Sequence, residues 1–323
     1  MKILDEIYGA IVLSEEEIEA YLLAVGWDAV IDAVSETFIE EAYGRVISPP
    51  KTIISFEECN NDYRMMPSYM EKYPDYCGTK IISACGDNPG KYGLPLAVGV
   101  YLLNDRWTQK NLMIINAITT TAWRTAAASA VGMRELSKKD SKTLGLIGCG
   151  KQAYYHIRAM WAIRRIDEIL IYDINDESMD KMLRHFNGFN IRKASKEEIF
   201  NKSDIVVTMT PTTKPHIFVD DIPNREMAIC AIGGDSNIKL EIEPKVLPMV
   251  DHYCDSLDQV SHTGMVEQGL EQGIVTMDDM KPLGQLMIGN GEMDNSKKVK
   301  MFLSTGVALE DLAMAILIYS RVK

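Results

Sequence analysis

The spacing of apolar residues changes along this chain, and each change predicts a different kind of element. Ser14-Glu15-Glu16-Glu17 reads as a capping box, with Ser14 as N-cap and Glu17 three residues on. It opens a helix that runs to about Gly26. A second helical pattern covers 27–43, with Val30, Ala33, Val34 and Phe38 on one stripe. Pro49-Pro50 stops it. The period then shortens to that of strands over 52–56, 63–69, 77–85, 94–103 and 112–117, separated by turn residues such as Asn104-Asp105. Short strands in succession predict an antiparallel sheet or open barrel.

An alanine-rich helix is expected over 119–136. The polar run 137–142 is a candidate domain boundary. Beyond it strands and helices alternate: 143–148, 151–165, 168–173, 176–186, 204–210 and 227–232. Such alternation predicts a parallel α/β sheet. An apolar helix is expected over 307–322. Its pattern does not say which domain it joins.

Composition narrows the classes. A chain of 323 residues exceeds what one core commonly holds, so two domains are expected. The net charge of -12 repels phosphate backbones and argues against a nucleic-acid partner. No apolar run is long enough to span a membrane. Met1-Lys2-Ile3-Leu4-Asp5-Glu6 carries acids early and does not read as a signal peptide, so a cytoplasmic protein is expected. The 6 cysteines form no C-x-x-C and read as free thiols. No histidine stands with Cys or acids at a metal-ligand spacing, so no metal is expected; His262, in a glycine-containing loop, is the one that could face a site.

The sharpest chemical signal is Gly148-Cys149-Gly150-Lys151-Gln152-Ala153, a G-x-G-x-x-A turn between an apolar strand and a helix. Gly148 permits the tight turn, Gly150 lets backbone approach a pyrophosphate, and Ala153 keeps helix and strand close. The helix N-terminus offers free N–H groups to phosphates. Asp173, at the end of the second strand, is placed to accept from a ribose diol, and no arginine follows it. NAD rather than NADP is the expected cofactor.

Several cations interrupt apolar stretches: Lys80, Arg124, Arg64 and Lys51. Such charges need anionic partners. A substrate carboxylate is one reading and internal ion pairing the other. Asp235 follows an apolar strand and Gly233-Gly234. Beyond the carboxyl end of a strand in an open α/β sheet, an acid can exchange protons with a reacting amine, or simply cap a turn.

Arg124-Thr125-Ala126-Ala127, the glycine turn at 148–153, Ile232-Gly233-Gly234-Asp235 and Ser304-Thr305-Gly306-Val307-Ala308 occur in this order. Together they resemble the ornithine cyclodeaminase/mu-crystallin family, over nearly the whole chain. The resemblance implies an α/β protein in which a Rossmann NAD-binding domain, 126–304, is joined to an α+β domain with an open antiparallel barrel-like sheet. That second domain, 1–125 with 305–323 returning to it, would bind substrate and form a homodimer. The resemblance implies Lys51, Arg64, Met66 and Arg124 as substrate contacts, with Asp235 and Lys80 in proton transfer. It adds Thr125, Lys151, Gln152, Thr210 and Ser304 to the cofactor contacts.

Members act on the Cα–N bond of small amino acids or on cyclic imines. Arg64, where cyclodeaminases of the family carry a glutamate, points to an NAD-dependent oxidoreductase of the alanine dehydrogenase or ketimine reductase type. An ornithine or lysine cyclodeaminase is the alternative, and a ligand-binding crystallin-like protein the third. Asn116, Met265 and Gln285 stand where the family commonly has acids, and Ser236-Asn237 where it has Pro-Gly, which implies an altered pocket.

Overall fold

The computed structural model describes residues 2–4, 9–59, 61–234 and 236–323. Two compact units result, one made of Met1–Arg124 with Val307–Lys323, the other of Thr125–Gly306.

The first unit opens with strands β1 (Lys2–Leu4) and β2 (Ala10–Leu13), followed by helices α1 (Glu15–Val25) and α2 (Trp27–Ala42). The capping box is formed: Glu17 N–H donates to Ser14 Oγ at 3.2 Å, and Ser14 N–H to Glu17 Oε2 at 2.9 Å. Strands β3 (Val46–Ile47), β4 (Thr52–Phe56), β5 (Asn61–Met70), β6 (Tyr76–Ala84), β7 (Ala97–Asp105) and β8 (Asn111–Asn116) complete one sheet. Its order is β1-β2-β8-β7-β6-β5-β3, with β4 also paired to β5. All its pairs are antiparallel except β2 with β8. The opening pair β1–β2 has no counterpart among the elements expected from apolar spacing.

Register decides what this sheet presents. Met66 lies opposite Lys80, and Lys80 opposite Tyr101, so the three share one face. Asp62, Arg64, Ser68 and Met70 join them by the two-residue repeat. Met66, Ser68, Met70, Tyr101 and Leu103 are buried there. Helix α10, described below, covers that face, packing on β5 to β8 and against α2.

Helix α3 (Ala117–Leu136) crosses from one unit to the other, the division falling between Arg124 and Thr125. It starts two residues earlier than apolar spacing suggests, because Asn116 caps it. Asn116 Oδ1 accepts from Ile118 N–H at 2.8 Å and Thr119 N–H at 3.0 Å. The polar run 137–142 is therefore not the boundary; it lies inside the second unit, where α3 ends and β9 (Thr143–Ile147) begins. A boundary inside a continuous helix leaves no change in composition to read.

The second unit alternates strands and helices: β9, α4 (Lys151–Ile163), β10 (Glu168–Tyr172), α5 (Asp176–His185), β11 (Ile191–Lys193), α6 (Lys196–Lys202), β12 (Ile205–Thr208), β13 (Met227–Ala231), β14 (Val250–Cys254), α7 (Leu257–Val260), α8 (Gly264–Glu271), β15 (Lys281–Pro282), α9 (Leu283–Met287) and β16 (Val299–Leu303). The sheet is parallel throughout, in the order β11-β10-β9-β12-β13-β16-β14-β15. The order reverses between β9 and β12, the switch point where doubly wound sheets bind ligands. Its central strands are buried on both faces, as parallel strands require.

Helix α10 (Ala308–Val322) returns to the first unit. No helix among the described residues is long and apolar enough to cross a membrane.

Candidate active site

The second unit carries the dinucleotide cradle. Strand β9 ends at Ile147, and Gly148 turns the chain with φ +104. A Cβ there would also stand 3.0 Å from the Met209 carbonyl oxygen, so glycine is required twice over. Gly150 is the N-cap of α4 and lends no side chain to it. A Cβ added at Gly150 would meet nothing within 4 Å, so space is open where a phosphate would approach the helix N-terminus. Lys151 opens α4, exposed, and Ala153 is fully buried beneath the turn. Gln152 Oε1 is buried with no hydrogen-bond partner among the described residues.

Asp173 follows β10. Its Oδ2 accepts from Cys149 N–H at 2.7 Å and its Oδ1 from Asn175 N–H at 2.8 Å. Each oxygen keeps a lone pair for a further donor. The carboxylate is thus held still beside the glycine turn, as a ribose diol would need. Burial, reinforced by Asp173, pushes the Cys149 thiol up to about 12, so it is an apolar filler of the turn rather than a nucleophile.

Across the switch point a buried acid ties two strand ends together. Glu241 accepts from Thr210 N–H at 2.5 Å, Thr210 Oγ1 at 2.6 Å, Thr208 Oγ1 at 3.1 Å and Gly233 N–H at 2.8 Å. A Cβ at Gly233 would fall 2.2 Å from the Glu241 carboxyl carbon. Burial raises the Glu241 carboxyl above its ordinary range, and these donors pull it back. Thr210 Oγ1 also lies 2.9 Å from His216 Nε2. Asp255, directly after β14, accepts from Thr305 N–H at 2.5 Å and Gly306 N–H at 2.8 Å beyond the end of β16. Ser304 Oγ is buried without a partner among the described residues. It lines a small cleft with Gly234, Lys239, Thr263 and Met265. An open glycine cradle, a fixed acid beyond the second strand and an orphaned hydroxyl at the strand ends fit a dinucleotide. Asp235 lies outside the described residues. Thr125 is on α3, its carbonyl accepting from Ser129 Oγ at 3.0 Å.

The first unit gathers the cations. Lys80 Nζ stands 2.6 Å from Asp311 Oδ2, with both side chains buried. Arg124 Nη1 donates to Glu310 Oε2 at 2.7 Å, and its Nε lies 3.5 Å from Asp311 Oδ1. Internal ion pairing is therefore realised for both. Burial pushes the Lys80 ammonium down to about 8; Asp311 pulls it up, and Arg124 and Lys51 push it down again. A lysine in that range can lose and regain a proton near neutrality. Met66 faces Lys80 across the β5–β6 pair and is buried. Arg64 is on the same face but gives Nε and Nη2 to Asp62 Oδ2, at 3.0 and 2.5 Å.

Asp311, Glu310 and Glu241 were not among the residues singled out from sequence. A signal existed for the first two: Leu309-Glu310-Asp311-Leu312 puts adjacent acids into an otherwise apolar helix, the mirror of the cations at Lys80 and Arg124. Glu241 gave none, since Glu241-Ile242-Glu243 reads as an ordinary polar loop. The substituted positions are structural here: Asn116 caps α3, Met265 joins the core of the second unit, and Gln285 Oε1 accepts from Asn290 at 3.2 Å. His262 is exposed. No cluster of metal ligands occurs among the described residues.

A profile of the ornithine cyclodeaminase/mu-crystallin family matches residues 10–323. Over 314 residues the chain is 30% identical to alanine dehydrogenase of Archaeoglobus fulgidus, covering 96% of this chain and 94% of that one. An archaeal alanine dehydrogenase dimer with bound NAD superposes with a TM-score of 0.89 at 29% identity, covering 97% of this chain and 96% of that one. The Delta(1)-pyrroline-2-carboxylate reductase of Thermococcus litoralis, in complex with NADH and L-proline, gives 0.88 at 29% identity, with 97% of each chain covered.

Proposed function

The chain belongs to the ornithine cyclodeaminase/mu-crystallin family, and from that premise we propose that it is an NAD-dependent oxidoreductase acting on the Cα–N bond of a small amino or cyclic imino acid. The observation that carries the reading is the buried pair Lys80–Asp311 beside Arg124–Glu310, a clamp and a titratable amine on one set of elements.

Arg124 holds the substrate carboxylate, its planar guanidinium being suited to two-point contact and kept in place by Glu310 and Asp311. Met66, opposite Lys80, and Lys51, just ahead of β4, bound the substrate. Gly148, Gly150, Lys151, Gln152, Ala153, Asp173, Thr125, Thr210 and Ser304 hold NAD. Bound there, NAD would supply the hydride acceptor for oxidation of the Cα–N bond to an imine. Asp235 accepts the proton released by the substrate ammonium, and Lys80 shares that transfer. Water then adds to the imine, giving the 2-oxo acid and ammonia; the reverse sequence reduces a ketimine.

The protein acts as a homodimer. The outer face of the first sheet supports this, with Val98 and Val100 of β7 and Ile54 of β4 exposed at 41%, 40% and 47%. The free cysteines suit a reducing cytoplasm.

Incubation with NAD and a panel of amino acids, read as NADH absorbance and as ammonia, tests the reading. Both products together are expected. Ammonia from ornithine or lysine without net NADH assigns a cyclodeaminase instead. Asp235→Asn is expected to abolish turnover while sparing NAD binding.

A further inference from the structure

The inner face of β5 carries an acid and a base two residues apart. Arg64 Nε and Nη2 both donate to Asp62 Oδ2, while Asp62 Oδ1 accepts from Ala84 N–H at 3.2 Å. The carboxylate is therefore anchored at both oxygens, and the guanidinium is drawn along its own strand. Both side chains are mostly covered, at 25% and 19% exposure. Arg64 precedes Met66 by one two-residue step, about 7 Å along the strand. Met66 is directly opposite Lys80. Arg64 thus lies on the same sheet face as Lys80, one step beyond Met66, and a substrate side chain reaching past Met66 would meet it.

An unpaired arginine at that position would attract a second carboxylate. A glutamate would attract an ammonium. The pair does neither, because its charges cancel within one strand. We propose that Asp62 is the specificity-determining residue: it neutralises Arg64, so that the pocket takes amino and imino acids whose side chains carry no charge. Removing the Asp62 charge converts Arg64 into a receptor for a second carboxylate. The inference rests on the dehydrogenase reading above.

L-2-aminobutyrate and L-aspartate have the same number of carbons and differ in side-chain charge. Their kcat/KM values, followed as NADH, are compared in the wild type, Asp62→Asn and Asp62→Asn/Arg64→Leu. Asparagine keeps an acceptor for Ala84 N–H and loses only the charge. In the wild type aminobutyrate is the better substrate. Asp62→Asn raises the aspartate-to-aminobutyrate ratio by about tenfold or more, the scale of one hydrogen bond between charged groups. The double variant loses that gain. An unchanged ratio in Asp62→Asn, with NADH still formed, overturns the inference alone. No NADH from the wild type with any uncharged amino acid overturns the dehydrogenase reading and the inference with it. If Asp62→Asn does not fold, inhibition of the wild type decides: 2-oxobutyrate must compete with aminobutyrate more strongly than oxaloacetate, and the opposite order refutes the proposal.

Discussion

Lys80 and Asp311 form an ion pair closed off from solvent, one partner from the middle of a sheet and the other from the first turn of α10. Removing one partner leaves the other charged in a low-dielectric site. Asp311→Asn is expected to cost about 3–5 kcal/mol in urea unfolding. Replacing both, as Lys80→Met with Asp311→Leu, should recover more than half of that loss while abolishing activity. Equal instability of the single and double variants would show that the pair contributes nothing by its charge.

Burial lowers the Lys80 pKa to about 8, so its neutral amine, the proton acceptor, predominates only above that pH. In the oxidative direction kcat/KM is expected to rise with pH through an inflection near 8. Lys80→Arg keeps a charge opposite Asp311 but cannot deprotonate. Its profile should be flat and low there. An unaltered inflection in that variant would assign it to another group.

Glu241 gathers Thr208, Thr210 and Gly233 at the strand ends. Glu241→Ala strands several buried donors and should cost about 2–4 kcal/mol. It should also weaken NAD binding by about tenfold in calorimetry, since both loops lose their tie. Glu241→Gln keeps one oxygen and should fall between. Unimpaired NAD affinity in the alanine variant would separate this acid from the cofactor site.

Buried His156 is held by Ser129 Oγ at 2.9 Å and the Gln152 carbonyl at 2.8 Å. Burial drops its pKa from 6.5 to about 4. The unfolded chain therefore takes the proton first as pH falls. Stability present above 6.5 is lost between 6.5 and 4, by about 3 kcal/mol in all. His156→Gln should remove that component from denaturation measured across the window. A slope identical to the wild type would place the acid sensitivity elsewhere.

The Rossmann half was legible in sequence because its signals are local: a glycine turn, an apolar strand before it, an acid after the next strand. The strand order and the insertion of β16 between β13 and β14 were not, since parallel pairing joins residues far apart in the chain. The cations Lys80, Arg124 and Arg64 could be picked out as misplaced charges. The acids Glu310 and Asp311 stand out in the same way, but which cation each meets does not, because Asp311 reaches Lys80 only through the path of α10, and Asp62 and Arg64 look like an ordinary polar alternation. The division within α3 escaped for the same reason: one uninterrupted helix serves both units.

The order in which the parts of the first unit leave the ribosome has a further consequence. Its sheet and both early helices emerge first, then the whole of the second unit, and only then α10, which brings Leu309, Leu312 and Ile316 together with both acids. Until that helix is made, the inner sheet face has neither its apolar cover nor the counter-charges for Lys80 and Arg124. The second unit can finish folding while the first waits as an unsealed sheet, and the nascent chain is most exposed to misassociation during that interval.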